Sequence, residues 1–202
     1  MSYLLSHPLR VLALTQAHVI IVGTSLALAL AIAFPLGVLA ARRPKSSGPI
    51  IGGLAAVYTI PSLALLAILV QAFGLGFWTA VIALVAYGQF VLVRNIAVGL
   101  RGVPQEQREA AVGLGMSPAQ TLLRVELPYA LPVILGGVRI AAIAMVALAT
   151  LAAYVGAGGL GTLIFEGLAF RQIDRTIAGS LAVAALAIAI DIALRAVERR
   201  AA

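Results

Sequence analysis

The sequence predicts an all-α membrane protein with five transmembrane helices in a single domain, residues 1–202. The chain is 62% hydrophobic and only 10% charged, whereas charged residues make up about a quarter of a typical soluble protein. Its mean hydropathy is +1.10. Five apolar runs are close to the roughly 20 residues that a helix needs to cross a bilayer. The predicted spans cover about 18–41, 50–73, 77–93, 132–155 and 177–194.

Each predicted span has a recognisable end or break. The first apolar run is too long, and begins too far from the N-terminus, for a cleaved signal peptide, so we expect a retained helix that ends at Arg42. The second is interrupted by the segment Thr59–Ser62, and the third stops at Arg94. The fourth leads into the glycine-rich segment 155–161, and the fifth is closed by arginines that begin at Arg195.

The positions of the basic residues predict the orientation, because lysine and arginine are enriched in cytoplasmic loops. Most of them lie between spans one and two, between spans three and four, or at the C-terminus, and none lies between spans two and three. We therefore expect the N-terminus outside and the C-terminus in the cytoplasm of a bacterial inner membrane. The same distribution argues against a nucleic-acid partner, although the net charge is +7.

The segment 104–128 is less apolar than its surroundings, and the orientation makes it cytoplasmic. A short helix is predicted from Pro104 to Leu114, because proline is favoured in the first helical turn. Gly115 follows at the position where a helix C-terminus favours a residue in the left-handed conformation. The segment therefore begins with a helix and a turn.

A second short helix is predicted directly after this turn. Ser117 followed three residues later by Gln120 has the pattern of a capping box. The helix is expected to end near Leu127, where Pro128 and Pro132 bend the chain back toward the membrane.

Helices this short are rarely stable alone, so their apolar residues need a surface to bury against. One interpretation is a loop that packs only on the protein's own helices, and the other is a docking element for a cytoplasmic partner. Composition alone does not decide between them. The apolar residues in question are Ala110, Ala111, Leu114, Leu122, Leu123 and Val125.

Seven residues of this segment have a characteristic spacing. They are Glu109, Ala110, Ala111, Gly115, Val125, Leu127 and Pro128. This spacing resembles the EAA motif of ATP-binding-cassette importer permeases, with valine at position 125 where isoleucine is commoner in the family. The resemblance implies the five-helix fold of the smaller importer permeases, with a coupling helix between spans three and four. It also implies two ATPase subunits, a second permease subunit and an extracytoplasmic binding protein as partners.

Two further stretches resemble the osmoprotectant branch of these permeases. They are TIPSLALL at 59–66 and VGAGGLG at 155–161. The resemblance implies import of glycine betaine, choline or carnitine, with the binding protein as a separate chain. The methionine-importer branch shares the glycine-rich stretch, so methionine or another amino acid is the alternative substrate.

The break in span two is the candidate for the transport pathway, because irregular backbone at membrane depth is tolerated where it lines protein or a water-filled cavity. A packing kink is the alternative. Tyr58, Thr59, Pro61 and Ser62 are the candidate pathway residues. Other polar or aromatic residues in the spans are expected to have structural roles; these are Gln71, Tyr87, Gln89 and Tyr154.

No catalytic, cofactor or metal site is predicted. The glycine-rich segment follows an apolar helix instead of a strand, and Lys45 lacks the glycines of a phosphate-binding loop, so no nucleotide site is expected. His18 is expected at the headgroup boundary. Asp191 is expected to pair with Arg195 four residues later. An ion-coupled secondary transporter, the alternative from another class, would need further intramembrane acids, and none is found in the predicted spans.

Overall fold

The computed structural model describes residues 2–201 and is helical over almost all of that range. Between α7 and α8 the chain forms a π-helical turn, Leu122–Glu126, and after α8 a 3-10 segment, Ala149–Val155. The helices are α1 (Ser2–Ser6), α2 (Pro8–Arg42), α3 (Pro44–Thr59), α4 (Ser62–Phe73), α5 (Phe77–Arg101), α6 (Gln105–Gly113), α7 (Pro118–Thr121), α8 (Leu127–Leu148), α9 (Gly161–Ala169) and α10 (Ile173–Ala201).

Within residues 2–201, four helical stretches are long and apolar enough to cross a membrane. They are Pro8–Arg42, Phe77–Arg101, Pro118–Val155 and Ile173–Arg200. A fifth candidate is the pair α3 and α4, whose axes meet at 95°. The predicted all-α class with five candidate spans is therefore confirmed, and the second span is sharply bent.

The core forms where α2 and α8 pack against α5. Small residues let the helices approach closely, as is common in membrane proteins. Ala29 and Ala33 on α2 are fully buried. A Cβ atom at Gly37 of α2 would lie 2.5 Å from Cγ2 of Ile96 on α5, so only glycine fits at this crossing.

Several helices extend beyond the spans that hydropathy predicted. The helix of span one begins at Pro8 instead of near residue 18, and that of span three continues past Arg94 to Arg101. Polar and basic residues cap the apolar run without ending the helix, because the helix can project beyond the bilayer into water. The short helix α9 after the glycine-rich segment was not predicted from the sequence.

The prediction that the second short helix ends near Leu127, at a bend made by Pro128 and Pro132, is wrong. Helical structure continues without interruption from Pro118 to Val155. In the π turn before Pro128, the N–H of Leu127 donates to the carbonyl of Leu122, five residues back. We attribute the continuity to this wider turn, which accommodates a proline that can donate no hydrogen bond of its own.

Candidate coupling site and transport pathway

The segment 104–128, which we call the coupling loop, contains a tight turn centred on Gly115. The N–H of Gly115 donates to the carbonyl of Val112 at 2.9 Å, and that of Met116 donates to the carbonyl of Ala111 at 3.1 Å. These two bonds form a Schellman motif, which ends α6. Gly115 has φ +75°, so its predicted left-handed conformation is confirmed.

The capping box predicted at the start of α7 is also confirmed. The Ser117 hydroxyl accepts from the N–H of Gln120, and the Gln120 side chain accepts from the N–H of Ser117 at 2.8 Å. Both bonds satisfy backbone donors that have no partner in the first turn of a helix. The direction of the chain between α6 and α7 is therefore fixed by local hydrogen bonds.

A buried glutamate that the sequence interpretation missed connects the coupling loop to α2. Glu126 is 8% exposed and lies in the π turn. Its Oε2 atom is 3.1 Å from Nη2 of Arg42, the last residue of α2. Its Oε1 atom is 3.1 Å from Nε of Arg108 on α6. One carboxylate thus faces two guanidinium groups from different helices, and its position between the motif residues Val125 and Leu127 was the available signal.

Two further arginine contacts fix the base of the loop. Arg108 also donates to the carbonyl of Leu100 near the end of α5. Arg101 donates to the carbonyl of Ala40 in α2 at 2.6 Å. The first bond joins the loop to the end of α5, and the second joins α5 to α2, so the loop cannot move independently of α5 without breaking a charged hydrogen bond.

The motif residues do not share one environment. Ala111 is buried, Val125 and Leu127 are half-buried, and Ala110 and Pro128 are exposed. The Glu109 carboxylate accepts from the Gln105 side chain at 2.7 Å, because the nearby Arg108 is turned toward Glu126.

The coupling loop exposes large apolar side chains that the chain itself does not cover. Val112 is 67% exposed, Leu114 is 78% exposed and Leu123 is 59% exposed. Apolar side chains on a polar loop outside the membrane are typical of a protein interface. The interpretation of a loop packed only on its own helices therefore fails for these three residues.

The break between α3 and α4 is stabilised by a tyrosine from α5. Ile60 and Pro61 have extended backbone, with ψ of 129° and 132°. The Tyr87 hydroxyl donates to the carbonyl of Ile60 at 2.5 Å, so this carbonyl is satisfied although it lies outside a helix. Tyr87 is therefore a structural partner of the predicted break.

The candidate pathway residues surround this break. Tyr58, Thr59 and Pro61 are exposed in the single chain, and Ser62 is half-buried. The Thr59 hydroxyl donates to the carbonyl of Ala56 at 2.7 Å, which ties it to its own helix. All four residues lie at the end of α3, at the start of α4 or in the break between them.

The other polar candidates lie apart from one another. Gln89 is buried, and its amide donates to the carbonyl of Ala29 at 3.1 Å. Tyr154 is 60% exposed and lies against Phe165, while Gln71 is exposed near the end of α4. Only Tyr87 touches the break directly.

His18 is an interior residue, so its predicted place among the lipid headgroups is wrong. Its side chain is fully buried. Nε2 lies 3.0 Å from the carbonyl of Val146, and Nδ1 accepts from the N–H of Leu160 at 3.2 Å. A Cβ atom at Gly159 would lie 3.0 Å from Nδ1, so the glycine-rich segment packs directly on this ring. Both ring nitrogens are used to hold α2 against that segment.

The predicted pair of Asp191 with Arg195 is confirmed at 2.8 Å. The sequence interpretation missed Arg139 on α8, which lies 3.7 Å from Asp191 and 3.4 Å from Glu198. A charged residue within a predicted span was the signal, since such residues usually pair with one another. The intramembrane charges of α8 and α10 thus neutralise one another.

Together, the long apolar helices and the polar loop with its exposed apolar residues define a multi-pass membrane protein of the transport-permease class. A family model for the binding-protein-dependent transport system inner membrane component matches residues 33–202. The chain belongs to this family, and it is an inner membrane component of such a transport system.

Individual relatives match over most of the chain. It is 39% identical to the carnitine transport permease protein OpuCB of Listeria monocytogenes over 92% of this chain and 85% of that protein. It is 41% identical to the choline transport system permease protein OpuBB of Bacillus subtilis over 92% and 86%. The fold is similar to a chain of the inward-facing MetNI methionine ABC transporter, with a TM-score of 0.85, 22% identity, and coverage of 97% and 99%.

Proposed function

We propose that this permease imports quaternary-ammonium osmoprotectants such as glycine betaine, carnitine and choline. The observation that carries the proposal is the identity of about two residues in five to permeases named for carnitine and choline, over 92% of the chain. The resemblance of residues 59–66 to the osmoprotectant branch supports the same substrate class. The likeness to the methionine transporter concerns the fold alone at 22% identity, and methionine import is the second candidate.

The functional unit would contain two permease subunits, two ATPase subunits and a binding protein on the outer side. Each ATPase subunit would dock on one coupling loop. The exposed side chains of Val112, Leu114 and Leu123 support this docking, because they form an apolar surface without a cover. Of the motif residues, Glu109 and Ala110 are exposed and available to a partner, whereas Ala111 and Gly115 shape the loop.

ATP would be bound and hydrolysed by the partner subunits, and this chain would transmit the motion. The buried carboxylate of Glu126 supports that role, because it ties the loop to the end of α2 through Arg42. Val125, Leu127 and Pro128 belong to the helical stretch that continues into the membrane. Movement of the loop would therefore be transmitted to both α2 and α8.

The substrate would pass along the surface that holds the break between α3 and α4. Tyr58, Thr59, Pro61 and Ser62 are the proposed pathway residues. Their exposure in the single chain, beside an irregular backbone, supports this assignment. The N-terminus would lie outside and the C-terminus in the cytoplasm, as the positions of the arginines indicate.

Uptake by vesicles that contain the permease, its ATPase subunit and its binding protein tests the proposal. Radiolabelled glycine betaine, carnitine, choline and methionine are supplied one at a time, with ATP or with a non-hydrolysable analogue inside. We expect ATP-dependent uptake of at least one quaternary-ammonium compound. Uptake of methionine with none of the other three would reject the proposed substrate class.

A further inference from the structure

Three aromatic side chains gather beside the break between α3 and α4. The Tyr58 ring centroid is 5.3 Å from that of Phe90 and 6.0 Å from that of Tyr87. We call these three residues the aromatic cluster. Tyr87 is committed to the backbone, since its hydroxyl binds the carbonyl of Ile60. Tyr58 is 42% exposed and Phe90 is half-buried, so both keep ring surface that the chain does not cover.

The cluster lies about half-way along α5. Phe90 follows Phe77, the first residue of the helix, by about 20 Å along an axis of about 36 Å. A substrate that crosses the membrane beside α5 would therefore pass this level.

Arg94 lies one helical turn after Phe90 on α5. Its guanidinium carbon is 5.9 Å from the Phe90 ring centroid, within cation–π distance. The side chain is exposed in the single subunit. Among residues 2–201, no carboxylate lies within ion-pair distance of Arg94, whose guanidinium contacts the Phe90 ring.

The position of Arg94 indicates a polar environment. It lies where the predicted third span ends, about 10 Å before the end of α5 at Arg101. A charged side chain at the end of a span avoids the hydrocarbon core and faces headgroups, water or a protein partner. Because Arg94 lies beside Phe90 and the break that we propose for the pathway, the exposed side of Tyr58, Phe90 and Arg94 is expected to face the pathway.

We propose that Tyr58, Phe90 and Arg94 form a transient binding site for a zwitterionic quaternary-ammonium compound during its passage. The inference rests on the proposed function and names the subclass of substrate. Aromatic faces attract a quaternary ammonium group, and a guanidinium binds a carboxylate with two parallel hydrogen bonds. The Phe90 ring centroid is 5.3 Å from that of Tyr58 and 5.9 Å from the guanidinium carbon of Arg94, spacings on the scale of a molecule that carries both groups a few carbon atoms apart.

The arrangement discriminates between the candidate substrates. Glycine betaine and carnitine carry a carboxylate that Arg94 can bind while the rings hold the ammonium group. Choline has a hydroxyl instead, so its cationic group would meet the positive charge of Arg94 without compensation. The site therefore favours the carboxylated compounds, and Arg94 is the residue that determines this preference.

The test uses the reconstituted complex of permease, ATPase and binding protein, and measures uptake per assembled complex. We expect Arg94→Gln to lower uptake of glycine betaine about tenfold, because a charge-assisted bidentate contact is lost. Uptake of choline, where the wild type imports it, should stay level or rise. Phe90→Leu should lower uptake of both compounds, because the aromatic ring is lost. Phe90→Tyr should transport both like the wild type, because it keeps the ring.

Two control variants make the same changes elsewhere. Arg200→Gln removes a charge in the last turn of α10, and Phe73→Leu removes an exposed ring at the end of α4. Both should transport like the wild type. If the Arg94 variant does not assemble, the pair Phe90→Leu and Phe90→Tyr decides the question alone.

The outcomes separate this inference from the proposed function. If the wild type imports glycine betaine, and Arg94→Gln and Phe90→Leu each change that uptake less than twofold, the proposed site is overturned and the proposed function stands. Loss of the second permease subunit in Arg94→Gln, with unchanged uptake by the complexes that remain, would also overturn it and assign Arg94 to the subunit interface. Failure of the wild type to import any quaternary-ammonium compound would reject both.

Discussion

Arg42 and Glu126 lie 84 residues apart in the sequence, and their side chains meet at 3.1 Å. The first closes α2 and the second lies in the π turn that leads from the coupling loop into α8. A charge pair at this place joins a membrane helix that is remote in the sequence to the loop that we propose as the ATPase contact.

Replacing Glu126 with glutamine should uncouple ATP hydrolysis from transport. The buried carboxylate faces two arginines that are 41% and 37% exposed, so water partly compensates its loss, and we expect a cost of about 1–2 kcal/mol. Such a change shifts an equilibrium by about fivefold or more. We expect the ratio of substrate imported to ATP hydrolysed to fall by that order in reconstituted vesicles.

Glu106→Gln is the matched control, because Glu106 is an exposed acid on α6. It should keep the wild-type ratio of uptake to hydrolysis. An unchanged ratio in Glu126→Gln would show that its ion pairs serve stability only, which thermal unfolding of the purified permease would then reveal.

Replacing Gly115 with valine should weaken ATPase association without preventing membrane insertion. There is room for the side chain, since no atom lies within 4 Å of a Cβ built there, but φ is +75°. Strain of about 1–3 kcal/mol follows from that backbone conformation. We expect roughly tenfold or greater loss of ATPase co-purification, together with loss of uptake, at normal membrane levels.

Gly113→Val is the control that distinguishes backbone strain from the added volume of the valine side chain. Gly113 also has open space around it, but it is the last residue of α6 and is not among the glycines with positive φ. This variant should retain ATPase association. Normal ATP-dependent uptake by Gly115→Val, at unchanged expression, would remove the turn from the coupling mechanism.

Single cysteines at Thr59 and Ser62 should react with small polar thiol reagents in the assembled complex. The natural chain contains no cysteine, so labelling reports only the introduced residue. Thr59 is exposed and Ser62 is half-buried at the break. Ser25→Cys, at a fully buried position of α2, is the unreactive control. Protection of both positions in every nucleotide state would identify the break as a packing kink.

Replacing His18 with leucine should destabilise the permease more than the same change at His7. In His18→Leu, the N–H of Leu160 and the carbonyl of Val146 lose their imidazole partner inside the protein. We expect this loss to lower the free energy of unfolding by about 1–3 kcal/mol. His7 is exposed. We expect the Tm of purified His18→Leu to fall by at least about 2 °C relative to His7→Leu. Equal Tm values would mean that water replaces the lost partners.

Reporter fusions test the orientation. A reporter after Ala202 should be cytoplasmic, and one inserted near Gly76, between α4 and α5, should be extracytoplasmic, because the basic residues concentrate on the opposite side. The orientation is decided by measuring the activity of a fluorescent reporter and of a periplasmic reporter at both sites. A reversed result at either site would contradict the predicted topology.

Local signals in the sequence were sufficient for the turn of the coupling loop. Gly115 and the pair Ser117–Gln120 act through hydrogen bonds to neighbouring residues, so their structure can be predicted without knowledge of the fold. The apolar spans were recognisable for a similar reason, since burial in lipid requires a long continuous run of apolar residues.

Contacts between distant residues could not be predicted in the same way. The partners of Glu126 come from α2 and α6, and Arg139 of α8 meets acids of α10. Nothing in the spacing along one helix specifies which other helix packs beside it. The interior place of His18 was missed for this reason, since its partners lie on α8 and in the glycine-rich segment.

The prolines led to an error of a different kind. A proline in a helix interior usually causes a kink, and two of them at 128 and 132 were interpreted as a turn. The π turn before Pro128 changes the hydrogen-bond pattern where the donor is missing, and hydropathy carries no signal for such a turn.

The uninterrupted helical stretch from Pro118 to Val155 has a mechanical consequence. Its 38 residues correspond to about 57 Å along a helix axis, nearly twice the hydrocarbon thickness of a bilayer. If the stretch moves as one body, a tilt of about 10° about its midpoint displaces each end by about 5 Å, in opposite directions. Its first end carries the capping box, and its last lies beside the glycine-rich segment that rests on His18. Such a tilt would transmit movement from one face of the membrane to the other through a single helical stretch.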